Sequence, residues 1–90
     1  MTVKIRLNKL QVKHGENITI EVIRENQSDN QFSLTIHDQE GDSIYALGIT
    51  GDKQTESITI PGENTINWEK GEYFIRVFGV KESQSFELVD

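Results

Sequence analysis

Three acidic side chains fall at alternate positions in DQEGD, Asp38, Glu40 and Asp42. Hard cations such as calcium need several oxygen ligands, so this is the chain's best candidate for a metal loop. An EF-hand loop counted from Asp38 would need glycine at its sixth position and glutamate at its twelfth. Here Gly41 is fourth and Ile49 is twelfth, so that architecture is excluded. A looser calcium site, with Asp52 or Asp29 helping, remains open beside the simpler reading, a solvated turn rich in carboxylates.

Nucleophilic catalysis finds less support. It needs a nucleophile, a base and an orienting group within reach of one another. The histidines are His14, in the turn KHGE, and His37, on the solvent side of an alternating stretch. There is no Gly-x-Ser-x-Gly motif and no cysteine, so no elbow serine or thiolate is available. The expectation is a protein that is not an enzyme and takes no cofactor. Asn17-Ile18-Thr19 and Asn26-Gln27-Ser28 match the glycosylation acceptor pattern, which also arises often by chance.

Exposed aromatics are the stronger lead. In KGEYFIRVFG, Tyr73, Ile75 and Val77 alternate with Phe74, Arg76 and Phe78. If the first set faces a core, the second faces outward, and large apolar groups in solvent point to a partner. Ile23 and Trp68 are expected to join Phe74, Arg76 and Phe78 in such a partner surface. The competing reading covers that face within the chain or by a neighbouring module. Trp68 precedes Glu69-Lys70-Gly71, where a tryptophan plugs one end of a sandwich or stacks on a sugar. Tyr45, Asn64, Asn67 and Glu69 supply polar groups for the sugar alternative.

The elements that must hold these residues read as strands. Apolar residues alternate at Val3-Ile5-Leu7, Ile18-Ile20-Val22, Phe32-Leu34-Ile36, Tyr45-Leu47-Ile49, Ile58-Ile60, Tyr73-Ile75-Val77 and Phe86-Leu88. Leu10 and Val12 read as a continuation of the first strand after a kink near Asn8. Turn residues separate the sets, notably at 13–16, 38–42, 50–53, 61–62 and 79–83, and no window has helical periodicity. About seven short antiparallel strands in one domain, 1–90, make an all-β, immunoglobulin-like two-sheet sandwich. Strands one, two and five form one sheet; three, six and seven form the other, with the Tyr45 strand at its edge. A small barrel or jelly roll needs more or longer strands.

Composition narrows the partners. Fifteen acidic and nine basic side chains give a net charge of −6, which repels phosphate backbones and argues against nucleic acid. No apolar run approaches the ~20 residues of a membrane helix. A domain this small buries only roughly 60% of its extended-chain surface, so its stability is modest.

VKHGENITIEV (12–22), LTIHDQEGDSIY (34–45) and KGEYFIRVFG (70–79) resemble successive pieces of bacterial immunoglobulin-like and macroglobulin-type modules. The GEYFIRV segment also resembles the C-terminal sorting domain of Bacteroidetes secreted proteins, but the end of this chain, Glu87 to Asp90, lacks that domain's basic residues. Asn26–Asp29, Asp38–Tyr45 and Pro61–Glu63 resemble pieces of the intracellular subtilisin-inhibitor sandwich, at shorter spacing and without its tryptophan-bearing loop. These resemblances imply a non-catalytic binding or spacer module of a bacterial or phage surface or secreted protein. Its partner would be a protein or neighbouring domain, engaged through an outer sheet face or edge strand. Carbohydrate binding at Trp68 and proteinase inhibition through residues 50–57 or 25–31 are the alternatives. An extracellular place within a longer chain is expected, and a cytoplasmic one stays open.

Overall fold

The computed structural model describes residues 3–24, 31–50, 54–80 and 83–90. Its strands follow the alternation. They are β1 (Val3–Leu7), β2 (Gln11–Lys13), β3 (Ile18–Arg24), β4 (Gln31–His37), β5 (Ser43–Thr50), β6 (Thr55–Ile60), β7 (Gly71–Val77) and β8 (Ser83–Val89). One short helical turn, α1 (Gly62–Thr65), follows Pro61. The sheets are β1-β3-β6 and β2-β8-β7-β4-β5. The fold is an all-β, immunoglobulin-like sandwich, and apart from β2 its strands divide between the sheets as expected.

Among the described residues, sixteen buried apolar side chains form one core between the sheets. Ile18, Ile20 and Val22 from one layer meet Leu34, Ile36, Ile75 and Val77 from the other, all with essentially no exposed surface. Burying each such side chain contributes about 1.5–3 kcal/mol, set against the entropy of ordering the chain.

The first strand differs from the expectation. After Leu7 the chain leaves the first sheet, and β2 joins the second, pairing in parallel with β8 from Gln11↔Glu87 to Lys13↔Val89. The main-chain N–H of Glu87 bonds to the carbonyl of Leu10 at 2.8 Å, and that of His14 bonds to Val89 at 3.0 Å. Val12 thereby enters the core while Leu10 is left 68% exposed. Alternation alone does not distinguish these layers, because a strand of three residues presents one inward side chain to either sheet.

The connection from β6 to β7 closes one end of the sandwich. Pro61 supplies an extended residue that cannot continue the strand ladder, and α1 follows at once. Gly62 is pressed against the β2–β3 turn; a Cβ there would lie 1.9 Å from the Gly15 carbonyl oxygen. Its N–H donates to Asn17 Oδ1 at 2.8 Å, and its carbonyl accepts from Thr65 Oγ1 at 2.9 Å. His14 Nε2 donates to the carbonyl of Trp68 at 2.5 Å. The connection is therefore pinned to the turn at residues 13–17 from several sides.

Candidate functional site

Trp68 is held where this connection meets the β4–β5 hairpin. Its ring is tilted 32° against Tyr73 at 5.5 Å and meets Tyr45 edge-on at 6.3 Å. Tyr73 in turn stacks on Phe86 at 5.6 Å. The chain of rings runs from edge strand β5 to β8. The phenol of Tyr73 donates to the carbonyl of Glu69, four residues upstream, at 2.5 Å. This is the tyrosine corner of immunoglobulin-like sandwiches, in which a tyrosine near the start of this strand ties down the preceding connection. Burial, with the nearby carboxylates of Asp38 and Glu69, raises the Tyr73 phenol above its ordinary pKa.

A cleft of about 440 Å³ opens beside Trp68. The hairpin contributes Asp38, Gln39 and Glu40, β5 contributes Ile44, and the β6–β7 connection contributes Asn67, Glu69 and Lys70. The Lys70 ammonium lies 2.8 Å from the Asp90 carboxylate, which offsets its charge. Asp38 has a structural task, since its Oδ1 accepts the N–H groups of Glu40 and Asp42, each at 2.9 Å. The side chain thus shapes the turn of DQEGD. Among the described residues no three acidic or histidine side chains converge as a metal-holding group, Asp38, Glu40 and Asp42 included.

The proposed partner surface divides among several places. Phe74 and Arg76 share the outer face of β7. Phe74 is half-buried between His37 of β4 and Ser85 of β8, and Arg76 is exposed between Thr35 and Ser83. Phe78 lies just beyond the strand and is 83% exposed. Ile23 belongs to the other sheet, half-buried between Lys4 and Thr55. Trp68 lies at the end of the sandwich, apart from all four. The structure therefore brings together Phe74 and Arg76 but does not gather the five residues into one patch.

His37 is bound locally. Its Nδ1 lies 3.2 Å from the Gly41 carbonyl, which can only accept, and its Nε2 lies 2.9 Å from Thr35 Oγ1. Asn17, the first glycosylation candidate, has its amide oxygen engaged with Gly62. Asn26 lies outside the described residues, as do most of the loops considered for proteinase inhibition.

Sequence reasoning missed two features. One is Arg24, 1% exposed at the end of β3, where its guanidinium lies 3.3 Å from Glu56 and 4.9 Å from the centre of the Phe32 ring. The other is the edge of β5, which has one strand neighbour, β4, among the described residues. The edge strands are β1, β6, β2 and β5. β1 carries Lys4 and Arg6, β6 carries Glu56 and stops at Pro61, and β2 has three residues, including Lys13. β5 is the longest described strand, and its sequence SIYALGIT has no charge and no proline. Charges, prolines, shortness and bulges are the usual guards against strand addition; β5 lacks the first three, and its register with β4 shifts once, between Ile36 and His37. The signal was present in the sequence as eight uncharged residues in a chain that is 27% charged.

No protein-family model matches this chain, and no curated protein matches its sequence. No helix among the described residues is long and apolar enough to cross a membrane.

Proposed function

We propose that this domain is a non-catalytic assembly module that engages a partner through the edge of β5, and that this partner is a second copy of the same chain. The uncharged, proline-free edge of β5, in regular register from Tyr45 to Thr50, carries the reading. An exposed edge adds a strand through main-chain hydrogen bonds, and side chains on alternate positions set its register. Tyr45, Leu47 and Ile49 pair with Ile36, Leu34 and Phe32 on the core side, while Ala46 and Gly48 face outward. The size pattern is large-small-large-small-large, symmetric about Leu47. Two such strands related by a twofold axis would set Leu47 against Leu47, Tyr45 against Ile49, and Ala46 against Gly48. That arrangement completes the burial of Tyr45 and Leu47, now half-exposed, without opposing bulky outer side chains.

The chain's net charge of −6 opposes association at low ionic strength, so added salt strengthens the dimer. Sedimentation velocity from about 10 μM to 1 mM supplies the test at affinities ordinary for such contacts. Concentration-dependent dimers, abolished by Ala46→Lys with Gly48→Lys, are expected. A monomer throughout that range overturns self-pairing, as does a dimer that the double variant leaves intact. A place within a longer bacterial or phage surface or secreted protein suits an assembly module. That part of the reading rests on the resemblances at 12–22, 34–45 and 70–79.

A further inference from the structure

We propose that the cleft beside Trp68 is a second binding site, independent of the β5 edge, which takes the guanidinium of an arginine side chain presented by a partner polypeptide. Three observations meet there. The cleft is concave, and its volume of about 440 Å³ suits a side chain with part of its backbone. Its wall includes the half-buried indole of Trp68, fixed by Tyr73 and Tyr45, so an aromatic surface is already in place before anything binds. Its charge is one-sided.

That imbalance comes from particular groups. Asp38, Glu40 and Glu69 line the cleft, and the one cation among its lining residues, Lys70, is paired with Asp90. The Asp38 Oδ1 accepts the turn N–H groups of Glu40 and Asp42. No side-chain hydrogen bond or ion pair engages the carboxylate of Glu40 or Glu69 among the described residues. The field of Asp38 and Glu69 reaches the neighbouring Tyr73 phenol, helping to hold its proton.

The carboxylates do not converge as a small metal ion requires. A flat organic cation with several N–H donors can meet carboxylates that do not converge on one point. Guanidinium stacks on an indole face while its edge donates to carboxylates, and it is more weakly hydrated than ammonium. A neutral sugar would use the same aromatic wall but would leave the unpaired carboxylates without a counter-charge.

Trp68 is the only tryptophan in the chain, so its fluorescence reports directly on the cleft. The experiment titrates the whole protein with N-acetyl-arginine amide at low salt, and in parallel with glucose and N-acetylglucosamine. A saturable change with the arginine amide is expected, with half-saturation on the order of 1–10 mM for one stacked cation beside exposed carboxylates. Salt near 0.5 M should weaken it by screening. Glu40→Gln with Glu69→Gln should raise the half-saturating concentration about fivefold, from two exposed charge contacts. Both side chains are exposed, and an unchanged urea midpoint confirms that the variant remains folded. No saturable response to the arginine amide overturns the proposal. So does a response that the double variant leaves unchanged, or one to the sugars alone. None of these results bears on β5 pairing, which the sedimentation experiment decides separately.

Discussion

Tyr73 Oη and the carbonyl oxygen of Glu69 are 2.5 Å apart, so the side chain that opens β7 holds the connection that delivers it. Tyr73→Phe keeps the ring stack on Trp68 and Phe86 but leaves the Glu69 carbonyl without this donor. A loss of about 1–2 kcal/mol is expected, read as a lower urea midpoint at unchanged slope. An unchanged midpoint would show that water replaces the phenol freely.

Two glycines should respond in opposite ways to alanine. A Cβ on Gly62 would lie 1.9 Å from the Gly15 oxygen and 2.4 Å from its carbon, backbone atoms that cannot rotate away. Gly62→Ala should cost about 2–3 kcal/mol or prevent folding. On β5, a Cβ at Gly48 meets nothing within 4 Å. Gly48→Ala should be neutral or stabilise by about 0.4–1 kcal/mol, because it restricts the unfolded chain. Thermal melts of the two variants test the contrast.

Arg24 is buried at the end of β3, with its guanidinium over the Phe32 ring and 3.3 Å from Glu56. Arg24→Ala removes packing against Phe32 together with the ion pair, and about 2–4 kcal/mol of lost stability is expected. Glu56→Gln retains the packing and a neutral acceptor, so its cost should be smaller. Equal losses in denaturant unfolding would contradict a packing role for Arg24.

Stability should fall at both ends of the pH range. A hydrogen bond from the Lys13 N–H, then one from Lys9, holds Glu16 below 4.5. A hydrogen bond from Lys70, its charge, and His14 together hold Asp90 below 3.8. The folded state binds these protons less tightly than the unfolded state. Their stabilisation is present above the ordinary values and is lost as pH falls through the lowered folded values. Both groups are exposed, so the effect is small, and Lys70→Met should flatten part of the acid limb of urea midpoints.

On the alkaline side the signs reverse. The bond to Asp90 raises Lys70 above 10.5, and burial raises Tyr73 above 10.0. The folded state holds both protons more tightly, so stability is present below those values and declines as pH rises through the folded ones. Absorbance at an ionised-phenol wavelength should show a late step that disappears in Tyr73→Phe.

The strands and their inward faces were legible because residues such as Ile20, Ile36 and Ile75 recur at every second position, and turn residues punctuate the runs. Tyr73 was legible as a core anchor, although its bond to Glu69 was not. Other features depend on distant pairings. β2 has only Val12 pointing inward, too little to reveal its sheet. Arg24 carried no local signal of burial, and Glu56 and Phe32, both distant in sequence, are among the groups that surround it. The cleft joins the 38–44 hairpin to residues 67–70, which no local period connects. Ile23 and Phe74 break the alternation in the same way but lie on opposite outer faces, because their strands belong to different sheets.

The parallel pairing of β2 with β8 also has a mechanical consequence. Tension drawing residue 3 away from residue 90 pulls these parallel strands in opposite directions along their length. Their hydrogen bonds are then loaded together in shear, whereas an antiparallel pair at the same place would unzip one bond at a time. With only Gln11–Lys13 in the contact, the clamp is short. It nevertheless lies across the path of any force transmitted through the chain.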